Sequence, residues 1–312
     1  MKTFAKLLFR TFLFIFILLN VVVAFHAYKL THFYNPGEVF IKKQNEKTTW
    51  EKTQDILFGF NTVKQTNQAA DSNFKTIYLT TKDGIKLEAW YIPVENAKGT
   101  VALFHGHGSK KTAVLPEAAA FRKLGYNTML LDFRAHGNSE GHTSTIGFKE
   151  SEDVKLVYDY LKNGGEKTIV LWGISMGAAT VTKAIDEYNL KPSKIILEMP
   201  FGSMKDAVEG RIKIMKLPVE PLATLLTFWG GTEHGFWAYS LKPSEYVKTI
   251  TCPVLLQWGL HDPRVTEAET QTIYNNIPTQ KRLVIYENSG HESLCKNENA
   301  KWINSVTAFL QR

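Results

Sequence analysis

At 312 residues, with 44% apolar and 21% charged residues, the chain has the make-up of an ordinary globular protein, large enough for one α/β domain with appendages. Its formal net charge of +7 comes from scattered lysines, not from basic runs interleaved with aromatics, which argues against a nucleic-acid partner. No CxxC or His/Cys cluster marks a metal site, and no phosphate loop or dinucleotide fingerprint is present (Gly106-x-Gly108 lacks the third glycine), so no cofactor is expected.

The first 28 residues form a separate object. Lys2, Lys6 and Arg10 precede an apolar run from Thr11 to Tyr28, broken only by Asn20 and His26. Eighteen helical residues cover about 27 Å, enough to cross a thin bilayer core. A retained signal anchor is favoured over a cleaved signal peptide, because the tolerable cleavage site after Ala24 is not a clean A-x-A. The leading positive charges place the amino terminus inside and the following domain outside the cytoplasm, a bias diluted by Lys29, Lys42 and Lys43. Secretion after cleavage is the alternative.

Residues 29–73 read as a polar, lysine-rich spacer. It contains a short helix over Thr49–Leu57 and three anchoring aromatics, Trp50, Phe58 and Phe60.

From Phe74 the chain alternates strand and helix. Lys75–Thr81 and Ile85–Val94 form a hairpin across Asp83-Gly84, a pair favoured in two-residue turns. Strands follow at Gly99–Phe104, Asn127–Phe133, Ile169 onward, Lys194–Met199, Pro253–Trp258 and Lys281–Tyr286. Helices fall at Leu115–Leu124, Phe148–Leu161, after Gly177 to about Leu190, at Thr266–Ile277 and at His291–Leu310. Such alternation requires an α/β domain over 74–312: a mostly parallel central sheet with helices on both faces. The hairpin supplies the one antiparallel strand. The interval of about 200–250 interrupts the alternation and is long enough for a small helical lid. Its aromatics, Phe201, Phe228, Trp229, Phe236, Trp237 and Tyr239, either line an apolar pocket or pack the lid down, and Gly230-Gly231 is a candidate hinge.

The organising motif is Gly173-Ile174-Ser175-Met176-Gly177, a G-x-S-x-G turn between a buried apolar strand and a small-residue helix. Such a turn lifts the serine hydroxyl above the sheet edge. The chain from Phe74 to Arg312 resembles the α/β-hydrolase superfamily, in its lipase, esterase and serine aminopeptidase-like branches with a short lid and an N-terminal membrane span. The resemblance rests on that elbow, on His105-Gly106-His107-Gly108, on Asp132-Phe133-Arg134-Ala135-His136-Gly137-Asn138-Ser139 (Ala135 where glycine is usual), on Asp262 in Gly259-Leu260-His261-Asp262-Pro263, and on His291 in Ser289-Gly290-His291-Glu292. It implies an α/β-hydrolase fold, a Ser175–Asp262–His291 triad and an oxyanion loop at the H-G motif.

The chemistry also follows from the residues. A serine hydroxyl needs a base as it attacks, and that base needs an orienting carboxylate. Ser175, Asp262 and His291 each follow a strand directly, so all three project from one sheet edge. The N–H groups of Met176 and His107 are the oxyanion-hole candidates. His291 competes with His105, His107, His136, His142, His234 and His261, and Asp262 with Asp132, read as a loop-orienting carboxylate. His105 reads as a structural hydrogen-bonder, and Glu198 as a solvated or locally paired strand-end carboxylate. Ser289/Glu292 and Thr266/Glu269 have capping-box spacing. Cys252 and Cys295 fall at opposite ends of the sheet, too far apart to bridge.

These readings converge on a membrane-tethered serine hydrolase that cleaves ester, thioester or amide bonds through an acyl-enzyme, with small-molecule or lipid-like acyl substrates favoured. Alternatives are an aminopeptidase using Glu209, Glu220 or Glu233 to hold the substrate ammonium, and a catalytically silent binding protein.

Overall fold

The computed structural model describes residues 2–43, 45–68 and 73–311. Positions 44 and 69–72 of the expected spacer lie outside the described residues. Eight strands form one sheet: β1 (Lys75–Thr80), β2 (Lys86–Ile92), β3 (Thr100–Phe104), β4 (Asn127–Leu131), β5 (Ile169–Ile174), β6 (Lys194–Glu198), β7 (Val254–Gly259) and β8 (Lys281–Tyr286). Their spatial order is β1-β2-β4-β3-β5-β6-β7-β8. Only β2 runs against the rest, pairing antiparallel with both β1 and β4.

The central strands are continuous apolar runs because both sheet faces are covered. Successive side chains alternate between two core layers. Ala102, Phe104, Leu171 and Leu197 face Val154 and Val157 of α4 (Glu150–Asn163), Val181 and Ile185 of α5 (Met176–Tyr188) and Ile273 of α9 (Glu267–Asn276). Val101, Leu103, Trp172 and Ile196 face Phe121 of α3 (Leu115–Lys123) and Trp302 and Val306 of α11 (Asn299–Leu310). Cys252 and Cys295 are buried free thiols.

The structure corrects several local expectations. The hairpin loop holds three residues, not two. Thr81 N–H bonds Ile85 O at 3.0 Å, and Gly84 sits at φ +83°, the left-handed position that closes such a loop. The closing helix does not begin at His291. It is split at Glu298 into α10 (Leu294–Asn297) and α11. Ser293, not Ser289, caps α10; Ser289 Oγ instead donates to Glu298, and Glu292 accepts from Gly290 N–H. Thr266 and Glu269 do form a capping box on α9.

The first apolar run is a single helix, α1 (Lys2–Thr31), long and apolar enough to cross a membrane and almost wholly exposed along its apolar window. Its carboxy-terminal end docks on the lid: Val23, Ala27 and Thr31 are buried, and Trp229 Nε1–H donates to Asn20 Oδ1 at 3.1 Å. The segment after it also packs. Phe33 is buried against His107 and His136 and pairs through its N–H with His142 O at 2.7 Å. Trp50 and Phe60 are exposed, so they do not fasten the spacer to the domain. On α2 (Thr49–Phe58), Phe58 does make an edge contact with Phe25.

The lid comprises α6 (Met204–Ile214), α7 (Leu222–Glu233) and α8 (Pro243–Tyr246), with a small core of Val208, Ile212 and Ala223. Gly230-Gly231 is no hinge. Both lie inside α7, where a Cβ on Gly231 would stand 2.6 Å from Phe236 O, so the missing side chain lets the following turn close on the helix.

Candidate active site

Ser175 sits between β5 and α5 with φ 53° and ψ −118°, a strained conformation for a side-chain-bearing residue. Two contacts hold it there. Its N–H donates to Glu198 O at 2.8 Å, and the elbow glycines allow backbone to meet backbone. A Cβ on Gly173 would lie 2.5 Å from the Gly177 carbonyl carbon, and one on Gly177 would lie 2.1 Å from Phe104 O.

His291 Nε2 lies 2.8 Å from Ser175 Oγ, and His291 Nδ1 lies 2.7 Å from Asp262 Oδ2. The other Asp262 oxygen accepts from Arg264 N–H at 2.7 Å and Val265 N–H at 2.9 Å, which fixes the carboxylate plane. With a carboxylate as acceptor, Nδ1 carries the imidazole proton and Nε2 is left to accept from the serine. Gly259, at the end of β7, makes this meeting possible. A Cβ there would strike Gly290 O at 2.4 Å, and His261 N–H bonds Ser289 O at 3.0 Å across the same gap.

Met176 opens α5, so its N–H has no intrahelical partner. Gly106 and His107 line the cavity together with Ser175 and Met176. The loop is braced from beneath by the other histidines. Gly108 N–H donates to His136 Nε2 at 2.9 Å, His136 Nδ1–H to Arg134 O at 2.8 Å, and Phe133 N–H to His105 Nε2 at 3.2 Å. Burial pushes His105 down to about 3, so it stays neutral and structural. His142 bonds Phe33 O, His234 stacks on His32, and His261 is exposed in its loop. Asp132 is wholly buried. It accepts from Lys111 Nζ at 2.5 Å, from Lys111 N–H at 2.6 Å and from Asn138 N–H at 2.9 Å, tying its loop to the H-G loop. Ala135 occupies the usual glycine position at φ +63°, a left-handed conformation costing about 1 kcal/mol for a residue with a Cβ.

Glu198 is neither solvated nor ion-paired. Oε1 accepts from Trp172 Nε1–H at 3.0 Å, Trp302 Nε1–H at 2.6 Å and Gln257 Nε2–H at 3.0 Å, all buried. Burial, aided by the nearby Glu117 carboxyl, pushes it up to about 8, against 4.5 for an ordinary glutamate. At this group the folded state therefore holds a proton that the unfolded state has lost between these values, and its stabilisation is lost as pH rises from about 4.5 through about 8. In Glu198→Gln the amide oxygen accepts the same three donors without titrating. Its melting temperature relative to wild type should rise by several degrees between pH 5 and pH 9, read by thermal unfolding. A difference that stays flat over that range contradicts a protonated Glu198.

The cavity above Ser175 holds about 340 Å³. Of the lid aromatics, Phe201 lines it, while Phe236 stacks on Phe148 at 4.1 Å and Phe228 and Trp237 face outward. Residue patterns gave no hint of Arg211, Glu117 or Leu30, which also line the cavity. The first two sit on helices whose periodicity reports burial and not what lies opposite.

Residues 95–233 match the serine aminopeptidase (S33) family profile. The fold superposes on the Pyrococcus furiosus esterase Pf2001 with a TM-score of 0.68 and 26% identity, over 80% of this chain and 96% of that one. The chain belongs to the α/β-hydrolase superfamily. Curated relatives of this hydrolase include the uncharacterized protein YqkD of Bacillus subtilis (strain 168), 24% identical over 87% of this chain and 89% of that protein. Another is the lysophosphatidylserine lipase ABHD12 of Xenopus tropicalis, 25% identical over 64% of this chain and 52% of that protein. The esterase and lipase relatives make this a hydrolase with small-molecule ester substrates among its kin.

Proposed function

We propose that this hydrolase is a membrane-tethered serine hydrolase that cleaves carboxylic esters through an acyl-enzyme. The observation that carries the reading is the continuous hydrogen-bond chain Asp262–His291–Ser175. His291 Nε2 takes the hydroxyl proton as Ser175 Oγ attacks the carbonyl, and Asp262 steadies the imidazolium. The N–H groups of Met176 and His107 stabilise the oxyanion; removing one such donor costs roughly 3–4 kcal/mol. The protonated His291 then gives its proton to the leaving alcohol. Water repeats the sequence on the acyl-serine and releases the acid.

An ester is favoured over a peptide amine because the three lid carboxylates that could hold a substrate ammonium are elsewhere. Glu209 and Glu220 pair with Lys205, and neither they nor Glu233 line the cavity. Tethering is supported by α1, about 45 Å long at 30 residues, and by exposed Phe40, Trp50, Ile56 and Phe60 just beyond it, a belt suited to a bilayer interface. Leu30 at the end of α1 lines the cavity, which supports a site that faces the lipid surface. Cleavage after Ala24 would discard Asn20 and Val23, both in contact with the domain, so the retained anchor is favoured.

A fluorophosphonate probe applied to membranes containing the full chain tests the mechanism. Wild type is expected to label and Ser175→Ala to remain unlabelled. A folded wild type that fails to label is a catalytically silent protein.

A further inference from the structure

Arg134 is buried and Arg211 half-buried, and the two guanidiniums are treated differently. Arg134 meets Asp153 at 2.6 Å and Glu152 at 3.0 Å, the partners that a desolvated guanidinium requires. Arg211, on lid helix α6, has no carboxylate within ion-pair distance among the described residues. The neighbour its guanidinium does have is His107, whose Nδ1 accepts from Arg211 Nη2 at 2.9 Å. Burial, and then the charge of Arg264, lower Arg211 to about 10. The second cation is thus close enough to repel it.

Arg211 and Arg264 both line the cavity that holds Ser175 and His291. Their proximity is built in. A Cβ on Gly210 would lie 2.3 Å from Arg264 O, so α6 is seated directly on the loop that carries Asp262. Lys296 adds a third cation to the wall. Against these, Asp262 has both oxygens engaged, by His291 and by two backbone N–H groups. The lining carboxyl, Glu117, is held by the Ser293 hydroxyl, and burial raises it toward its neutral form. Most of the remaining wall is apolar, with Val114, Ile146, Ile174, Met204 and Val208.

Resting on the serine-hydrolase reading above, we propose that Arg211 and Arg264 form an anion subsite, which selects acyl esters carrying a phosphate or carboxylate group close to the scissile bond. Guanidinium forks match the oxygens of either group with paired hydrogen bonds. The apolar wall takes the hydrocarbon, and the anion replaces the missing carboxylate partner of Arg211.

The rival account is that Arg211 only positions His107 and so acts on every substrate alike. Two matched pairs separate the accounts and the two sources of charge. A short-chain lysophosphatidate against its monoacylglycerol places phosphate on the alcohol side. Mono-p-nitrophenyl succinate against p-nitrophenyl butyrate places carboxylate on the acyl side. The full chain should prefer the anionic member of one pair by tenfold or more in kcat/KM. Arg211→Gln and Arg264→Gln should each cut that anionic-over-neutral ratio at least tenfold, with Arg211→Lys losing less. Arg264 is exposed, so its variant reports even where Arg211→Gln fails to fold. A wild-type ratio near one in both pairs overturns the subsite, as does a ratio that neither substitution changes while absolute rates fall together. Fluorophosphonate labelling run alongside keeps the readings apart: labelling with a flat ratio removes only the subsite, whereas no labelling removes the serine-hydrolase reading itself.

Discussion

Asp262→Asn should lower kcat on a p-nitrophenyl ester by about 10⁴-fold at neutral pH while leaving the melting temperature within a few degrees of wild type. The local geometry gives the reason. Asp262 Oδ1 accepts from two backbone N–H groups, of Arg264 and Val265, so an asparagine must keep its carbonyl oxygen there. Its NH₂ is then turned toward His291 Nδ1, where Asp262 Oδ2 had accepted at 2.7 Å. A donor facing Nδ1 forces the ring proton onto Nε2, which points at Ser175 Oγ from 2.8 Å and can no longer accept the hydroxyl proton. The substitution changes which nitrogen is protonated and little else. Activity retained above a tenth of wild type would show that His291 is not the base.

The second large effect is structural. Gly177→Ala places a Cβ 2.1 Å from Phe104 O, 2.7 Å from Phe104 C and 2.8 Å from His105 O. None of these atoms can retreat cheaply. They end β3, which is hydrogen-bonded on both sides, to β4 and β5, and they begin the oxyanion loop. Overpacking against a fixed backbone costs about 3 kcal/mol or more, equivalent to roughly 6–12 °C in melting temperature for a protein of this size. Fluorophosphonate labelling should fall with it, because the same clash displaces the elbow. Gly230→Ala is the control: its Cβ meets nothing within 4 Å inside α7, so helix propensity predicts a small gain. Equal melting temperatures for Gly177→Ala and wild type would mean that the elbow tolerates a separation the geometry forbids.

Some of this molecule is written in local pattern. The runs TVALF and IVLWGI can only be strands buried on both faces, and Gly173-Ile174-Ser175-Met176-Gly177 is a turn because just two small residues permit its backbone contacts. Thr266 with Glu269 states a helix start in four positions. Local pattern misleads where a distant partner intervenes. Ser289 has capping-box spacing to Glu292, yet Glu298 captures its hydroxyl and the helix starts later, at the Ser293 cap. Trp50 and Phe60 have the composition of anchors, but Phe33 is the aromatic that meets a buried surface, formed by two histidines more than seventy positions away.

From the order of its residues alone, the chain determined an apolar leading helix, an alternating α/β domain and a serine raised on a strand-to-helix turn. These follow from periodicity and steric limits that act within a few residues. The tertiary structure alone decided that Ser175 meets a histidine 116 positions away. It also decided that Gly259 lets the Asp262 and His291 loops touch, and that Arg211 enters the cavity with no ion-paired carboxylate among the described residues. Those contacts depend on how strands are ordered across the sheet and how the lid folds back over it, and a residue's own neighbours along the chain carry no information about what will stand opposite.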